Sequence, residues 1–307
     1  MREVLTLTGR TIKLYLKNPL SLLFSFVYML LIILLFSTFL GSYMTESMAD
    51  IYAEVHGTDL SSIRWLVDST AMAGVLMINC ILVPLNVLTI MVQDRSTNHF
   101  DSFLVTAAKR DKLVFGYWLA PFLIGILLNI LCLFITQVFI VLNGGQWLTL
   151  QSLLKMIVLI LINTFSATSI LFVVALLLNN ANIYNTITGI VSALIGFITG
   201  TFLPIGVFPE NMQMIFALFP AHHGATMMRE VMTQAPLAAV FGSVPPQRIK
   251  DTYMSTQKII NIYCAENGIN YIFSGHLVTM PVMIAIVTGS GILFLLLSLL
   301  LIRKSKK

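Results

Sequence analysis

The sequence predicts an all-α integral membrane protein with six transmembrane helices, an N-terminal interfacial amphipathic helix and a re-entrant helical element after the fifth span. Hydrophobic residues make up 57% of the chain, charged residues make up 10%, and the mean hydropathy is +0.90. No charged residue occurs between Lys112 and Lys155 or between Lys155 and Glu210. A soluble protein needs a charged surface over stretches of that length, so composition and charge distribution together place the chain in a bilayer.

Residues 1–20 are predicted to form a cytoplasmic interfacial helix. Arg2, Arg10, Lys13 and Lys17 fall on one helical face at about 100° per residue, and leucine and isoleucine side chains occupy another. Basic side chains on such a helix bind anionic lipid headgroups. The alternative is a plain cytosolic tail. The Asn-Pro pair that follows is expected to end the helix, because the residue before a proline is disfavoured in the helical region.

Six apolar segments reach the length of about 20 residues that a helix needs to cross a bilayer. With their connections they form the predicted transmembrane domain, residues 21–307. The third segment is long enough to tilt or to project beyond the bilayer. The predicted spans are residues 21–43, 69–92, 113–142, 153–178, 184–203 and 278–302.

The distribution of basic residues predicts that both termini are cytoplasmic. In that orientation 12 of the 18 lysine and arginine residues lie on the inner side and 6 on the outer side. Inner loops of membrane proteins are enriched in lysine and arginine, and an even number of spans gives the same result. The outer segment 44–68 is mainly acidic.

The fifth span is predicted to break between Ile187 and Arg229. The proline- and glycine-rich stretch GTFLPIGVFP interrupts the apolar helix, and the apolar run that follows stops at Pro220. Lipid tolerates broken backbone only where protein or water covers the freed polar groups. Residues 204–230 are therefore predicted to form a re-entrant element that enters the membrane from the outer side.

Residues 231–277 form the larger of two predicted outer segments. Neither this segment nor residues 44–68 is long enough to build a good core of its own. The stretch QRIKDTYMSTQKIINIYCAENGIN is predicted to form one exposed helix that ends near Gly268.

The chain carries no enzyme motif and is not expected to be an enzyme. GxxxxGK[ST], HExxH and GxSxG are absent, so no ATP-binding P-loop or hydrolase site is predicted. His222 and His223 are the only histidine pair. Adjacent residues on a helix point about 100° apart, which favours a hydrated interfacial pair over a shared metal ion. No catalytic residue, metal site or cofactor is predicted in this chain.

Polar side chains inside the spans have two interpretations. Buried amides and hydroxyls commonly join helices, at about 0.6 kcal/mol per contact, and the alternative is that some line a path for an amphiphilic substrate. The predicted spans contain no Asp or Glu, which ion-coupled carriers usually need near the midplane, so the energy source is expected elsewhere. The residues assigned to the substrate path are Asn79, Asn86, Asn163 and Thr188.

The loop of residues 93–112 is predicted to be a cytoplasmic coupling loop. Ser96 is expected to cap a short helix on which Phe100, Phe103 and Leu104 share one face. Exposed aromatic side chains on a charged cytosolic helix favour a docking surface for a partner. The alternative is that the same face packs under the helix bundle.

Taken in order, these features resemble the ABC-2 type membrane subunits of ATP-binding-cassette exporters over nearly the whole chain. The resemblance rests on the basic helix ending in KNPL, the six spans, the loop QDRSTNHFDSFLVTAAKRDKL and the broken span GTFLPIGVFPENMQMIFALFPAHHGATMMREV. The loop departs from the family pattern, because Asp94 and Asn98 stand where Glu and Gly are usual and Ala107-Ala108 stands where a proline is common. The departures imply a coupling geometry that differs in detail.

The resemblance implies a permease that pairs with a second permease subunit, identical or different. Two separate ATPase subunits, which carry ATP and Mg²⁺, dock beneath such a pair; membrane lipids are further partners and nucleic acid is not. The residues implied to contact the ATPase are Arg10, Lys13, Lys17, Asp94, Arg95, Phe100, Asp101, Phe103 and Leu104. The residues implied at the dimer interface are Ser192, Gly196 and Gly200. The residues assigned to an outer gate are Phe202, Pro204, Phe208, Pro209, Phe219 and Pro220.

The function implied by this resemblance is ATP-driven export across the plasma membrane. An apolar lining with scattered amides favours an amphiphilic cargo, such as a drug (as in multidrug resistance), an antimicrobial peptide or a lipid-like molecule. Polysaccharide export is the alternative within the family, supported only by Tyr28, Tyr184 and Phe202 as aromatic residues for stacking on sugars. An alternative from another class is a non-transporting membrane scaffold or immunity protein that binds a toxin through its outer segments.

Overall fold

The protein is an all-α integral membrane protein, as predicted. The computed structural model describes residues 2–51, 60–97, 110–242, 247–249, 252–254, 256–273 and 276–304. Within these ranges six helical stretches are long and apolar enough to cross a membrane. The stretches are Pro19–Ala49, Leu60–Ser96, Lys112–Leu142, Leu150–Leu177, Ala181–Ile198 and Met280–Leu301.

Eleven α-helices and two short β-hairpins make up the described part of the chain. The helices are α1 (Arg2–Lys17), α2 (Pro19–Leu35), α3 (Gly41–Ile51), α4 (Leu60–Ser96), α5 (Arg110–Leu142), α6 (Leu150–Leu177), α7 (Ala181–Ile198), α8 (Glu210–Ala217), α9 (Pro220–Phe241), α10 (Thr256–Glu266) and α11 (Met280–Lys304). A π-helical turn (Phe36–Leu40) joins α2 to α3, and a 3₁₀ turn (Ile205–Val207) precedes α8. The strands are β1 (Gln247–Ile249), β2 (Thr252–Met254), β3 (Ile272–Phe273) and β4 (His276–Leu277).

Helix α4 is the centre of the bundle. Nearly every residue from Leu66 to Leu88 is buried, and the helix packs against α2, α3, α5, α6, α7 and α9. Gly125 on α5 leaves space for the Pro84 ring and for Thr164 of α6, so three helices approach closely at one level. The Tyr184 hydroxyl donates to the Leu85 carbonyl at 2.8 Å and attaches α7 to the same helix. Because α4 contacts most of the other helices, a displacement of α4 would displace most of the bundle.

The first span is longer than predicted and contains the π-helical turn. At that turn the Phe36 carbonyl accepts a hydrogen bond from the Arg64 guanidinium at 2.9 Å. Arg64 also pairs with Asp68 at 2.9 Å, one turn further along α4. A Cβ at Gly41 would collide with the Arg64 guanidinium, which explains the glycine at the start of α3. The predicted outer segment 44–68 is thus largely helical in its described part, with α3 extending to Ile51 and α4 beginning at Leu60.

Helices α2, α7 and α11 lie at the periphery, and most of their apolar side chains are exposed. Helices α2 and α7 both lie against α4, whereas α11 packs against α5, α6 and α9. Tyr28 of α2 contacts Phe202, just beyond α7, with ring centroids 6.1 Å apart. This ring contact links the first span to the end of the fifth, and both α2 and α7 leave apolar side chains uncovered.

The break after the fifth span lies where the sequence predicts it. Gly200 has a φ of +65°, a backbone conformation that glycine adopts without strain, and it follows the last turn of α7. Helix α8 then runs away from the break and α9 packs back against α4, α6 and α11. Gly224 of α9 lies directly against Asn163 and Met77, which are near the middle of α6 and α4. The hairpin of α8 and α9 thus reaches the middle of the bundle, and its placement relative to a lipid bilayer stays a prediction.

The prediction of one helix across residues 247–270 is wrong in its first half. Strands β1 and β2 form an antiparallel hairpin, with Arg248 opposite Tyr253, and α10 begins only at Thr256. Val, Ile, Tyr and Thr favour strands, and this local preference decides the short segment. The predicted end of the helix is confirmed, because Gly268 has a φ of +64° two residues after α10.

Candidate functional site

We call the end of the bundle that carries α1 the inner end and the opposite end the outer end, after the predicted orientation. Three side chains at the inner end form a hydrogen-bonded group, which we name the coupling cluster: Arg10, Asp94 and Tyr117. Arg10 of α1 donates to both carboxylate oxygens of Asp94 on α4, at 2.7 and 3.1 Å. The Tyr117 hydroxyl of α5 donates to Asp94 at 2.7 Å. The cluster therefore joins the N-terminal helix to the ends of two spans.

The coupling cluster is only partly shielded from solvent. The side chain of Arg10 is 34% exposed and that of Asp94 is 10% exposed. The hydrogen bond to Asp94 raises the pKa of Arg10 above its ordinary value, while burial opposes the rise. A bidentate arginine–carboxylate pair of this kind fixes geometry as well as charge.

Further contacts hold α1 against α5. The Thr8 hydroxyl donates to the Gly116 carbonyl at 3.2 Å, and a Cβ at Gly116 would lie 3.2 Å from Leu7. Lys112 and Glu3 form an ion pair at 3.0 Å. These contacts hold α1 against α5 at several points along its length.

Arg95, next to the coupling cluster in sequence, attaches a third span. Its guanidinium donates to the carbonyl of Leu176 at 2.7 Å and to that of Ala175 at 3.4 Å. These carbonyls end α6, where a cation is stabilised by the helix dipole. The inner ends of α4, α5 and α6 are thus connected through two consecutive residues of α4.

The residues predicted to contact an ATPase fall into three groups. Lys13 and Lys17 are exposed and available to a partner. Arg10, Asp94 and Arg95 instead make contacts within the chain. The remaining predicted docking residues lie outside the described residues: Phe100, Asp101, Phe103 and Leu104.

Ser96 lies in the last turn of α4, where its hydroxyl donates to the Gln93 carbonyl at 2.9 Å. The short helix that it is predicted to cap lies outside the described residues. Helix α4 continues four residues beyond the predicted end of the second span because Asp94 and Arg95 find partners on neighbouring helices. The coupling loop therefore starts later than predicted.

An inner cavity of about 570 Å³ lies beside the coupling cluster, between α1, α2 and α4. Asn86, a predicted substrate-path residue, lines it together with Gln93 and Asp94. Apolar side chains such as Leu14 and Ile90 complete the wall. The cavity therefore offers both polar and apolar surface at the inner end of the bundle.

A second cavity of about 340 Å³ lies at the middle of the bundle, between α4, α6, α7 and the start of α9. Its lining is almost wholly apolar apart from Asn163 and Ser166. Asn163 donates to the Leu159 carbonyl at 2.9 Å, and its side-chain oxygen has no partner among the described residues. This second predicted path residue thus has an unused acceptor at the level of the middle cavity.

The other two predicted path residues do not line these cavities. Asn79 is fully buried in the core and donates to the Cys132 sulfur at 3.3 Å, so it joins α4 to α5. Thr188 donates to the Tyr184 carbonyl of its own helix at 3.0 Å. The helix-joining interpretation describes Asn79. Of the four residues, Asn86 and Asn163 line cavities, and their assignment to a substrate path stays a prediction.

An outer cavity of about 590 Å³ lies between α3, α4, the break after α7 and the end of α10. Phe202 and Pro204 of the predicted gate line it. Phe208 instead packs edge-on against Phe216 of α8, with ring centroids 5.1 Å apart. Phe219 and Pro220 line the middle cavity. Pro209 immediately precedes α8. The predicted gate residues are thus divided between the outer cavity, the middle cavity and the start of α8.

The three small residues predicted to lie at a dimer interface make contacts within this chain. A Cβ at Gly196 would collide with the Phe202 ring, and Gly200 is required by its positive φ. Ser192 donates to the Thr188 carbonyl at 2.7 Å. The exposed small residues of α7 are Gly189 and Ala193, and the assignment of Ser192, Gly196 and Gly200 to a dimer interface stays a prediction.

The histidine pair is buried rather than hydrated, so that prediction is wrong. His222 and His223 are 1% and 3% exposed, and Tyr271 lies against both rings with centroids 5.1 and 5.6 Å away. His223 also contacts the Ala217 carbonyl at 2.8 Å. No group of three or more metal-ligating side chains occurs in the part of the chain that the structure describes.

Two residues of these sites were missed by sequence reasoning. Tyr117 lies in an apolar run and carries no local signal of its role. Arg229 is 1% exposed and lines the outer cavity, although the sequence analysis used it only to mark the end of the broken span. A charged residue inside an element predicted to enter the membrane is a signal of function and could have identified it.

Six spans with α4 at their centre, a polar joint at one end and three cavities along the bundle are the architecture of a membrane-embedded transport subunit. The sequence model of the ABC-2 type transporter family matches residues 2–233. The chain therefore belongs to the ABC-2 type transporter family. The match begins with α1 and ends within α9, so it includes the coupling cluster and Arg229. No curated protein matches the sequence.

Proposed function

We propose that this chain is the permease subunit of an ATP-driven exporter. The membrane domain of the family is a permease without catalytic activity of its own, and ATP with Mg²⁺ is expected on a separate ATPase. The observation that carries the proposal is the Arg10–Asp94 pair. It joins the N-terminal helix to the central helix where the chain enters the coupling loop.

The contacts of the coupling cluster support a mechanical role. An ATPase that displaced α1 would move Asp94 and Tyr117 with it, since the three side chains share hydrogen bonds. Helix α4 would carry this displacement to the walls of all three cavities, because it contributes residues to each. Interfaces packed in this way change between discrete arrangements rather than deforming smoothly.

The cavities support an amphiphilic cargo. The inner cavity combines amide and apolar surface, and the middle cavity is almost wholly apolar. An amphiphile taken from the cytoplasm or inner leaflet would pass Asn86 first and Asn163 second. A strongly charged cargo would find no charged side chain in the middle cavity and would lose its hydration there.

The proposed assembly contains two permease subunits and two ATPase subunits in the plasma membrane, with both permease termini in the cytoplasm. The uncovered side formed by α2 and α7 supports a second permease subunit at that position. Its apolar side chains include Leu31, Leu34, Ile190 and Leu194, whose exposed fractions are 58%, 58%, 54% and 52%. Either an identical or a different permease fits this surface.

Copurification tests the proposal. The tagged chain, expressed with the ATPase encoded beside its gene, is expected to retain that ATPase through affinity and size-exclusion steps. Lys13→Glu with Lys17→Glu should weaken retention, because reversing exposed charges opposes association with an acidic partner surface. Lys155→Glu is the matched control, since Lys155 is also exposed but lies at the outer end of α6. Absence of any copurifying ATPase would count against the proposal.

A further inference from the structure

The outer cavity contains a buried cation at its inner end. Arg229 lies on the third turn of α9, is 1% exposed and belongs to the lining of the cavity. Its neighbours come from three places: the central helix, the break after α7 and the turn after α10. An arginine in this position stays protonated, because its guanidinium loses its proton only far above physiological pH.

The hydrogen-bonding capacity of Arg229 is mostly unused. One Nη2 hydrogen bond reaches the Thr199 carbonyl at 2.7 Å. The Nε and Nη1 atoms have no partner among the described residues. The ion pairs found in the same ranges are Arg10–Asp94, Arg64–Asp68 and Lys112–Glu3, and none involves Arg229. A buried charge without a partner is costly, so the site favours an anion.

Three glycines surround the guanidinium group. A Cβ built at Gly74 would lie 3.0 Å from Nη2, and Cβ atoms built at Gly268 and Gly200 would lie 3.1 and 3.6 Å from Nη1. Gly200 and Gly268 also have positive φ angles, so their backbone turns bring them beside the same nitrogen. Larger side chains at Gly74 or Gly268 would crowd the guanidinium. The absence of side chains at these glycines therefore leaves space around it.

The rest of the cavity is suited to an apolar tail. Phe36, Leu40 and Met44 from the first span and Phe202 from the break supply an apolar wall. The one carboxylate on the lining is Glu266, which is exposed and forms no ion pair among the described residues. One buried cation beside an apolar wall is the pattern expected for an amphiphile with a single anionic group.

We propose that Arg229 binds the phosphate or carboxylate group of an anionic amphiphile, whose tail lies against the first span in the outer cavity. The proposal rests on the proposed export function and narrows its substrate class to anionic amphiphiles, held at the outer end of the path before release. The guanidinium donates through Nη1 and Nε to two oxygens of the anion, as arginine forks commonly do.

Binding to the purified full-length chain tests this proposal. The probes are dihexanoyl phosphatidic acid as the anionic amphiphile, dihexanoyl phosphatidylcholine as the zwitterionic one and inorganic phosphate as the free anion. Affinity is measured by intrinsic tryptophan fluorescence and by microscale thermophoresis. We expect the anionic amphiphile to bind more tightly than the other two, and Arg229→Met to weaken it by about tenfold or more.

Two further variants keep the test decisive. Arg229→Lys retains the charge without the planar fork and should give an intermediate affinity. Leu203 is exposed and lines the cavity. Leu203→Trp leaves Arg229 in place and partly fills the cavity, so it should also weaken binding. Lys155→Met removes an exposed outer cation away from the cavity and should leave the affinity unchanged.

Each outcome decides the proposal. Equal affinity of the wild type and Arg229→Met for the anionic amphiphile would overturn it, as would inorganic phosphate that binds as tightly as the amphiphile. ATPase copurification is measured on the same preparations. A chain that binds the amphiphile through Arg229 but retains no ATPase supports the site and contradicts the export function. A chain that retains the ATPase but shows no Arg229-dependent binding contradicts the site alone.

Discussion

Arg10 and Asp94, which are 84 residues apart in the sequence, are joined by two hydrogen bonds of 2.7 and 3.1 Å. Both residues were expected to contact an ATPase. The structure instead pairs them with each other and adds Tyr117 as a second donor to the same carboxylate. The pair is thus a joint between α1 and α4, and the surface left for an ATPase on α1 includes the exposed Lys13 and Lys17.

The Arg10–Asp94 pair should show coupling in a double-mutant cycle. Arg10→Gln and Asp94→Asn are each expected to lower the thermal unfolding midpoint, and the double variant should lose less than the sum. The coupling should be about 1 kcal/mol, because Arg10 is partly exposed and water screens the pair. Lys13→Gln is the control on the exposed face of α1. Fully additive effects would show that the pair contributes nothing.

Gly196 should tolerate a methyl group poorly, whereas Gly189 should tolerate one well. A Cβ at Gly196 would collide with the Phe202 ring, so Gly196→Ala is expected to destabilise the protein by about 1–3 kcal/mol. Nothing lies within 4 Å of a Cβ built at Gly189, and Gly189→Ala should be neutral or stabilising. Thermal unfolding in detergent measures both. Equal losses would contradict the packing described for Phe202.

The exposed face of α7 should lie at the interface with a second permease subunit. Cysteines at Gly189 or Ala193 are expected to form intersubunit disulfides in native membranes when an oxidant is added. Leu293→Cys on α11 is the control, since Leu293 is 63% exposed on a helix that packs against α5, α6 and α9. Crosslinking at Leu293 with none at Gly189 or Ala193 would place the interface on the other side of the bundle.

Cys264 should react slowly with maleimides. It is 3% exposed, and burial raises the pKa of its thiol to about 11. The reactive thiolate is therefore a very small fraction at pH 8, and it grows only as the pH approaches that pKa. Labelling should become fast after denaturation. Lys258→Cys on the exposed side of the same helix serves as the rapid control, and equally fast labelling of native Cys264 would contradict its burial.

The fold was largely predictable because the bilayer restricts the possibilities. Long uncharged stretches predict the six spans, and the proline- and glycine-rich stretch predicts the break that Gly200 makes. Span ends were less predictable. Helix α4 is extended by Asp94 and Arg95, whose partners lie on helices that are far away in the sequence. The β1–β2 hairpin was missed because a short mixed segment gives conflicting local preferences.

The candidate sites were less predictable than the fold. Asn86, Asn163 and Asn79 look alike in sequence, yet the first two line cavities and the third donates to Cys132 in the core. Small residues at four-residue spacing on α7 indicate close packing but do not specify the neighbour, and at Gly196 it is Phe202 of the same chain. Tertiary packing decides which side chains are in contact with each other.

ATP-dependent export by reconstituted complexes tests the central claim most directly. Proteoliposomes that contain the chain and its ATPase are given a fluorescent anionic amphiphile, and its movement toward the outer side of the permease is followed with and without ATP. The account predicts movement that requires ATP, disappears with an ATPase variant that cannot hydrolyse ATP, and falls in Asp94→Asn. Movement that is equally fast without ATP, or with the inactive ATPase, would contradict it.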